Sequence, residues 1–493
     1  MKKFFNVPLA DFFYKNVNTR QTIFKNAVWL ALAQGLTGVI KFFLAVLVIR
    51  EFGATEYGKF AFAFSFVSIF SSLFDFGLFA ATTRELARNK AKERIFPSLL
   101  ALRLCLGCLI VPIIFIASLF VTPDKLTQKI MLVMGFFIFT TELLNFFFAL
   151  FRARQNMEVE ATFRIANTFI LAGAVLATLY LAPSILNLSF AYVGSNLVTL
   201  IIVFASLLFR DNKGFSFRPL FNLPVWKEFI LVGAYLALAR GVGDVTMYTD
   251  SVMLGYWNQI TETGWYNAAI KVNGLILFPM AVISAAVFPA LVSALSESRE
   301  KFTKLWKLWN KVTVFLAVML SSVVYVNADK IIEALYTPAF QPTGAALKIL
   351  VFMAAIVYVH GMFYHVLLIF DKQKKIFFVV LIGAVVNVVL NLILIPKFSL
   401  YGAAIATVVT HLVILLQYGR LIPKETFIKP FNSEFLFILA ISLISVVVMY
   451  MASSFLKYHI DNLFLSLLFG VVVFSFSFMV FHKIGVQSHI LNP

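Results

Sequence analysis

The chain has 493 residues, of which 61% are hydrophobic and only 13% charged, with a formal net charge of +18. Soluble domains carry roughly 25% charged residues, so this composition excludes an ordinary soluble protein and fits a chain solvated by lipid. The basic residues fall between apolar runs, as in loops beside anionic lipid, and the interleaved aromatics are mostly Phe within those runs. This pattern points away from nucleic acid as a partner.

Residues 1–25 are polar and basic, without a short apolar core and small-residue cleavage site, and are expected to form a cytoplasmic segment. Apolar runs long enough to span a bilayer follow at 26–49, 57–80, 97–121, 130–151, 162–182, 189–209, 228–256, 265–295, 308–327, 344–370, 377–396, 402–421, 433–456 and 462–482. At about 20 residues per crossing, these predict an all-α polytopic membrane protein with about 14 transmembrane helices. With the N-terminus in the cytoplasm, most of the 41 lysines and arginines fall in inner segments, and fourteen spans return the C-terminus to the same side.

The chain repeats itself. LVIREFGATEYGKFAFAF (Leu47–Phe64) and VMLGYWNQITETGWYNAA (Val252–Ala269) both place Glu-x-Gly before an aromatic and small residues, and turns around Pro183 and Pro396 give a second echo. The period is just over 200 residues, or six helices. An even number makes both copies enter from the same side, as in parallel-repeat transporters. The expected organisation is an N-lobe over 26–227, a C-lobe over 228–432, and two extra helices with a tail over 433–493.

Charges inside apolar runs are the best pointers to function, because each costs roughly 2.5–3.5 kcal/mol at a helix centre. The basic ones are Lys41, Arg103, Arg240 and Lys271; the acidic ones are Asp75, Glu142, Asp244 and Asp250. Arg240 and Asp244 are four apart and share a helix face, with Gly241 and Gly243 between them allowing close helix approach or a local break. Asp250 lies roughly 80° away on the same helix. Arg103 and Asp75 lie near inner ends, placed to pair with each other or to meet headgroups. Glu142 sits near mid-span, where it needs a partner or a proton. Lys41 and Lys271 either bind an anion or snorkel to the interface. The four charges of each sign balance, so the sequence by itself shows no net cationic site.

Other motifs point to packing. Gly53-x-x-x-x-Gly58-Lys59 matches part of a phosphate-binding loop, but Phe60 stands where Ser or Thr would hold magnesium, so a tight turn is expected. Cys105 and Cys108 share a helical face without a nearby histidine and read as small hydrophobes. His360, His365 and His411 lack metal-site spacing and are expected to be packed or hydrogen-bonded. Asn387 and Asn391 share a face suited to inter-helix hydrogen bonds. No metal, cofactor or catalytic constellation is expected. The longest expected outer loop is about 15 residues (327–342), short for a membrane polymerase or ligase.

Three segments, REFGATEYGKFAFAFSFVSIFSSLFDFGL (Arg50–Leu78), D-x-x-MLG with ETGWYNAA (Asp250–Ala269) and N-x-x-LNLILIPKFSLYGAAIAT (Asn387–Thr407), resemble the Wzx-like polysaccharide flippases of the multidrug/oligosaccharidyl-lipid/polysaccharide (MOP) exporter superfamily. The resemblance implies two six-helix lobes around a central cavity, two extra helices, and a multi-pass protein of the bacterial cytoplasmic membrane. It implies outward movement of undecaprenyl-pyrophosphate-linked oligosaccharide for O-antigen, capsule or exopolysaccharide, with membrane lipid, H+ or Na+ and polysaccharide assembly proteins as partners. Peptidoglycan-precursor flippases and multidrug exporters of the same superfamily are the alternatives. On this reading Lys41, Arg240, Lys271 and Arg103 are the substrate-binding candidates, and Asp244, Asp250 and Glu142 the ion-coupling candidates.

Overall fold

The computed structural model describes residues 19–88, 94–210, 218–456 and 462–491. All regular structure among them is helical. The expected cytoplasmic segment 1–25 lies largely outside the described residues. In chain order the helices are α1 (Thr19–Ile69), α2 (Ser71–Asp75), α3 (Leu78–Arg88), α4 (Phe96–Val121), α5 (Lys125–Ala153), α6 (Met157–Leu181), α7 (Ile185–Arg210), α8 (Leu223–Tyr256), α9 (Ile260–Glu297), α10 (Arg299–Leu335), α11 (Gln341–Ile369), α12 (Gln373–Glu425), α13 (Ser433–Leu456) and α14 (Leu463–Leu491). Twelve helices are long and apolar enough to cross a membrane. Large apolar side chains such as Phe43, Phe120, Ile201, Leu231 and Val447 lie exposed on them, as a lipid-solvated surface requires. The molecule is a multi-pass membrane protein.

The fourteen expected runs and the twelve helices are reconciled at two breaks. α1 and α12 have 51 and 53 residues, more than twice the ~20 residues that span a bilayer. Each carries two runs, interrupted at Gly53 (φ 68, ψ −179) in α1 and at Ser399 (φ 54, ψ −133) in α12. The Gly53 conformation is essentially confined to glycine, so the Gly-x-x-x-x-Gly-Lys segment is a turn, as its apolar setting predicts. In α12 the chain doubles back: a Cβ on Gly383 would lie 2.7 Å from Ile414, and one on Gly402 would lie 2.4 Å from the Leu394 carbonyl.

A third break departs from expectation. The run 57–80 is not one helix. α1 ends at Ile69, α2 ends in left-handed Phe76 (φ 46), and Gly77 follows at φ 70. A Cβ on Gly77 would lie 2.7 Å from the Gly233 carbonyl of α8, and one on Gly233 would lie 2.1 Å from the Phe76 carbonyl. Two glycines thus let the break seat against α8. Windowed hydropathy hides such a break, because the run stays apolar on average despite Ser71, Ser72 and Asp75.

Packing divides the chain into two compact units. One holds the described residues up to Phe52 with Lys59–Tyr248, the other Gly53–Gly58 with Thr249 onward. Most of α8, expected to open the second lobe, belongs to the first unit. The core of that unit is rich in Phe: Phe96 stacks on Phe146 at 4.6 Å between ring centroids, with Phe147, Phe148, Phe151 and Phe229 around them. In the second unit α13 and α14 pack on α10 through Val314, Met319, Ile438 and Phe474, with a Lys307–Glu434 ion pair at 2.9 Å.

The repeat is visible as a reciprocal contact within the second unit. A Cβ on Gly58 would lie 1.9 Å from the Ile260 carbonyl, and one on Gly264 would lie 2.0 Å from the Ala54 carbonyl. Thr55 and Thr261, 206 residues apart, share a hydrogen bond of 2.8 Å. Adding that same interval to Ala54 and Gly58 gives Ile260 and Gly264. The two contacts exchange under the repeat, as contacts about a two-fold axis do.

Helix starts follow capping rules. Asp124 accepts from the Thr127 backbone N–H at 3.0 Å and its hydroxyl at 2.6 Å to open α5. Partial burial alone would raise the Asp124 pKa; the hydrogen bonds outweigh it and hold the carboxyl below its usual range. Asp124→Ala is expected to destabilise the protein by about 1 kcal/mol, read as thermal unfolding in detergent. Because the folded-state pKa is depressed, the cap contributes fully above the ordinary Asp pKa, and its contribution is lost as pH falls through the folded value. Equal stability of Asp124→Ala and parent at neutral pH would contradict the assignment.

Candidate functional site: a buried arginine–carboxylate network

The break at Phe76–Gly77 places Asp75. Its carboxylate accepts from the Phe79 N–H at 3.1 Å, capping the start of α3, and meets two guanidiniums, Arg103 Nη1 at 3.4 Å and Arg240 Nη1 at 3.3 Å. Glu142 of α5 is shared in the same way, with Arg240 Nη2 at 2.7 Å and Arg103 Nη2 at 3.3 Å. Four helices, α2, α4, α5 and α8, therefore meet in one lattice of charge-assisted hydrogen bonds. Arg103 also donates to the Phe74 and Glu142 carbonyls. Gly241 allows the approach of α8, since a Cβ there would lie 2.9 Å from Ser72 Oγ.

Exposure separates the two arginines. Arg103 is 1% exposed and Glu142 3%, whereas Arg240 is 40% exposed. Arg103, expected to contact substrate, is instead enclosed, and its Nε has no hydrogen-bond partner. In this arrangement it anchors the carboxylates. Arg240 uses the same carboxylates as a mount while its outer edge stays open. The i,i+4 pair expected between Arg240 and Asp244 is secondary, with Nε to Oδ2 at 4.0 Å; Asp244 accepts from Ser71 at 2.9 Å. The longer-range carboxylates win because they reach the guanidinium edge-on at shorter distance.

A second set of residues, Arg152, Glu160 and Arg164, extends this lattice and is not among the candidates that the sequence singles out. Glu160 accepts from Arg152 Nε at 2.7 Å and Nη2 at 2.8 Å, and from Arg164 Nε at 2.8 Å. Arg164 Nη2 donates to Asn145 Oδ1 at 3.3 Å, and Asn145 Nδ2 donates to Glu142 at 3.3 Å. The polar chain therefore runs unbroken from Arg152 to Asp244. Its four arginines and four acids balance, although Arg152, Arg164 and Glu160 are not among the balanced charges the sequence singles out; its faces do not balance. The guanidiniums of Arg152, Arg164 and Arg240 are partly open, while Glu142, Glu160 and Asp75 lie buried behind them. Lys41 of α1 is exposed and within electrostatic reach of Arg164.

The second unit holds a carboxylate of another kind. Asp250, buried, accepts from Tyr266 Oη at 2.6 Å, Asn387 Nδ2 at 3.0 Å, Asn391 Nδ2 at 2.5 Å and the Thr407 hydroxyl. All four donors are neutral, and among the described residues no lysine or arginine pairs with Asp250. Asn387 and Asn391 thus do hydrogen-bond between helices, but onto a carboxylate. Lys271 is exposed on α9, apart from this cluster among the described contacts. His360 and His411 stack with Nε2 and Nδ1 at 2.9 Å, the packed role expected of them. Cys105 and Cys108 are free thiols.

This fold and site define a polytopic α-helical membrane protein of transporter type, with fixed cations on an open face and an uncompensated carboxylate in its other unit. The sequence model of the polysaccharide biosynthesis protein family matches residues 23–295, and the chain belongs to that family. It is 22% identical over 481 residues to the uncharacterized membrane protein MJ1068 of Methanocaldococcus jannaschii, covering 91% of this chain and 93% of the relative. It is 28% identical over 184 residues to the probable flippase AglR of Haloferax volcanii, covering 36% and 38%. Among solved structures, the lipid II flippase MurJ in an inward closed conformation aligns with a TM-score of 0.75 at 15% identity, covering 94% of this chain and 100% of that one. An inward-facing multidrug resistance MATE transporter of the MOP superfamily aligns at 0.65 and 15% identity, covering 79% and 95%. The fold is that of MOP-superfamily transporters.

Removing Arg103 leaves Asp75 and Glu142 short of a counter-ion in a buried site, at a cost of about 3–5 kcal/mol. Arg103→Gln is therefore expected to lower the folded yield and the detergent melting temperature strongly, and Arg240→Gln, at the open edge, much less. Equal losses in the two variants would mean that Arg240 is as structural as Arg103.

Proposed function

We propose that the protein is a flippase that moves a polyprenyl-diphosphate-linked oligosaccharide across the cytoplasmic membrane by alternating access, supplying repeat units for a surface polysaccharide. One observation carries this reading: the open face of the first unit presents guanidinium while the neutralising carboxylates lie behind it. A diphosphate headgroup needs fork-shaped donors that keep N–H groups free, and Arg240 has that form. Glu142 and Asp75 hold it in place, which reduces the entropy lost on binding. A neutral or acidic sugar tolerates such a face, whereas the cationic substrates of a multidrug exporter would be repelled by Arg240 and Lys41. Family membership and the relative named as a probable flippase support the same reading. The relatives named above are archaeal, and a polyprenyl diphosphate is the carrier chemistry that the guanidinium face fits. Lys41 is the second headgroup contact in this account and Lys271 a contact on the second unit. Arg103 acts only by positioning Glu142.

Coupling is assigned to Asp250. Asp75 and Glu142 are held by arginines, and Asp244 lies beside one, so a proton or small cation gains little there. Asp250 has only neutral partners, two amides and two hydroxyls. Each can turn an oxygen toward a bound Na+, or keep its hydrogen bond if the carboxyl takes a proton. The N- and C-termini on the cytoplasmic side complete the arrangement.

The test is translocation of a fluorescent polyprenyl-diphosphate oligosaccharide in proteoliposomes. Arg240→Gln is expected to slow it by about tenfold or more. Asp250→Asn is expected to leave a slow rate that no longer responds to an imposed Na+ or H+ gradient. Parental rates in the Arg240→Gln, Lys41→Gln double variant would overturn the headgroup assignment, and a retained gradient response in Asp250→Asn would overturn the coupling assignment.

A further inference from the structure

We propose that Arg152 and Arg164, bridged by Glu160, form a second anion site that takes the diphosphate before it reaches Arg240; this rests on the flippase reading above. In the lattice around Arg103, two arginines are matched by two carboxylates, Asp75 and Glu142. Here two guanidiniums share the single, fully buried Glu160, so the cluster keeps one positive charge in excess. Both Glu160 oxygens are occupied, Oε1 by two donors and Oε2 by one, and its single negative charge is outweighed by the two guanidiniums that flank it.

The donors are also left over. An arginine carries five N–H groups. Arg152 commits two to Glu160, and Arg164 commits one to Glu160 and one to Asn145. The remaining N–H groups belong to arginines whose side chains are 26% and 32% exposed. Each also rests against an aromatic ring: Arg152 Cζ lies 4.9 Å from the Phe79 ring centroid and Arg164 Cζ 4.6 Å from that of Phe148. Aromatic faces hold a guanidinium flat without using its donors. The result is a pair of preorganised forks with spare hydrogen-bonding edges, which matches two phosphate groups better than one carboxylate.

Position supplies the order of events. Arg152 lies in the last turn of α5 and Glu160 in the first turn of α6, at the loop that charge distribution assigns to the cytoplasmic side. Arg240 lies near the middle of α8. Asn145 and Glu142 join the two sites through the buried chain. A diphosphate held first at Arg152 and Arg164 can pass to Arg240, with Lys41 within electrostatic reach of Arg164.

The same chemistry would suit a bulk phospholipid headgroup, so the experiment must separate the two sources. Full-length protein in zwitterionic nanodiscs is titrated with geranylgeranyl diphosphate, with phosphatidylglycerol added as competitor. Arg164→Lys keeps Glu160 neutralised, so the variant stays folded, but it loses the fork; it is expected to bind geranylgeranyl diphosphate about fivefold to tenfold more weakly, as is Arg152→Lys. Parental affinity in both variants, with Arg240→Gln weakened, would overturn the second site and leave the flippase reading standing. No binding by the parent protein would overturn that reading itself. Competition by phosphatidylglycerol at equal affinity would make this a headgroup site for bulk lipid and overturn its assignment to the substrate.

Discussion

The structure of the first unit depends on Glu142 being shared by two arginines. A carboxylate near the middle of an apolar helix is expensive alone, and so is a guanidinium. Placed between Arg103 and Arg240 at 3.3 and 2.7 Å, Glu142 makes both charges tolerable and ties α4, α5 and α8 together. Asp75 repeats the arrangement from α2. The helix break at Phe76 and Gly77, the close crossing at Gly233 and the small residue at Gly241 all serve to bring these groups within hydrogen-bond distance.

This sharing converts a balanced charge count into a one-sided surface. The anions are buried and accept from several donors at once, while Arg152, Arg164 and Arg240, unlike the enclosed Arg103, stay partly exposed. Function then follows from which atoms remain reachable. The second unit solves the same desolvation problem differently, surrounding Asp250 with neutral donors that leave its charge uncompensated. A fixed, ion-paired lattice suits recognition of an anion; a carboxylate without a counter-ion suits reversible occupation by a cation.

Much of this is legible in the residues themselves. The apolar runs, the intramembrane charges and the repeat around Glu-x-Gly all follow from spacing and hydropathy, and the Asp75–Arg103 pairing is one of the two placements left open to those residues. The Gly58 and Gly264 contacts give the repeat a physical basis, since only a residue without a side chain permits a carbonyl so near. Other features are hidden for definite reasons. Hydropathy cannot see the Phe76–Gly77 break inside an apolar run. Helical spacing pairs Arg240 with Asp244, but tertiary packing offers it better partners 98 residues away in Glu142. Arg152, Glu160 and Arg164 sit where basic loops ordinarily mark topology; the signal that separates them is Glu160 placed eight residues after one arginine and four before the other.

The central claim is that the open guanidinium face selects an anionic headgroup. The most direct measurement is native mass spectrometry of the full-length protein in nanodiscs, offered an equimolar mixture of a polyprenyl-diphosphate oligosaccharide, the same oligosaccharide on a neutral polyprenol, and a hydrophobic cationic drug. The account predicts retention of the diphosphate lipid alone, weakened as ionic strength rises. Equal retention of the neutral lipid, or preference for the cation, would contradict it.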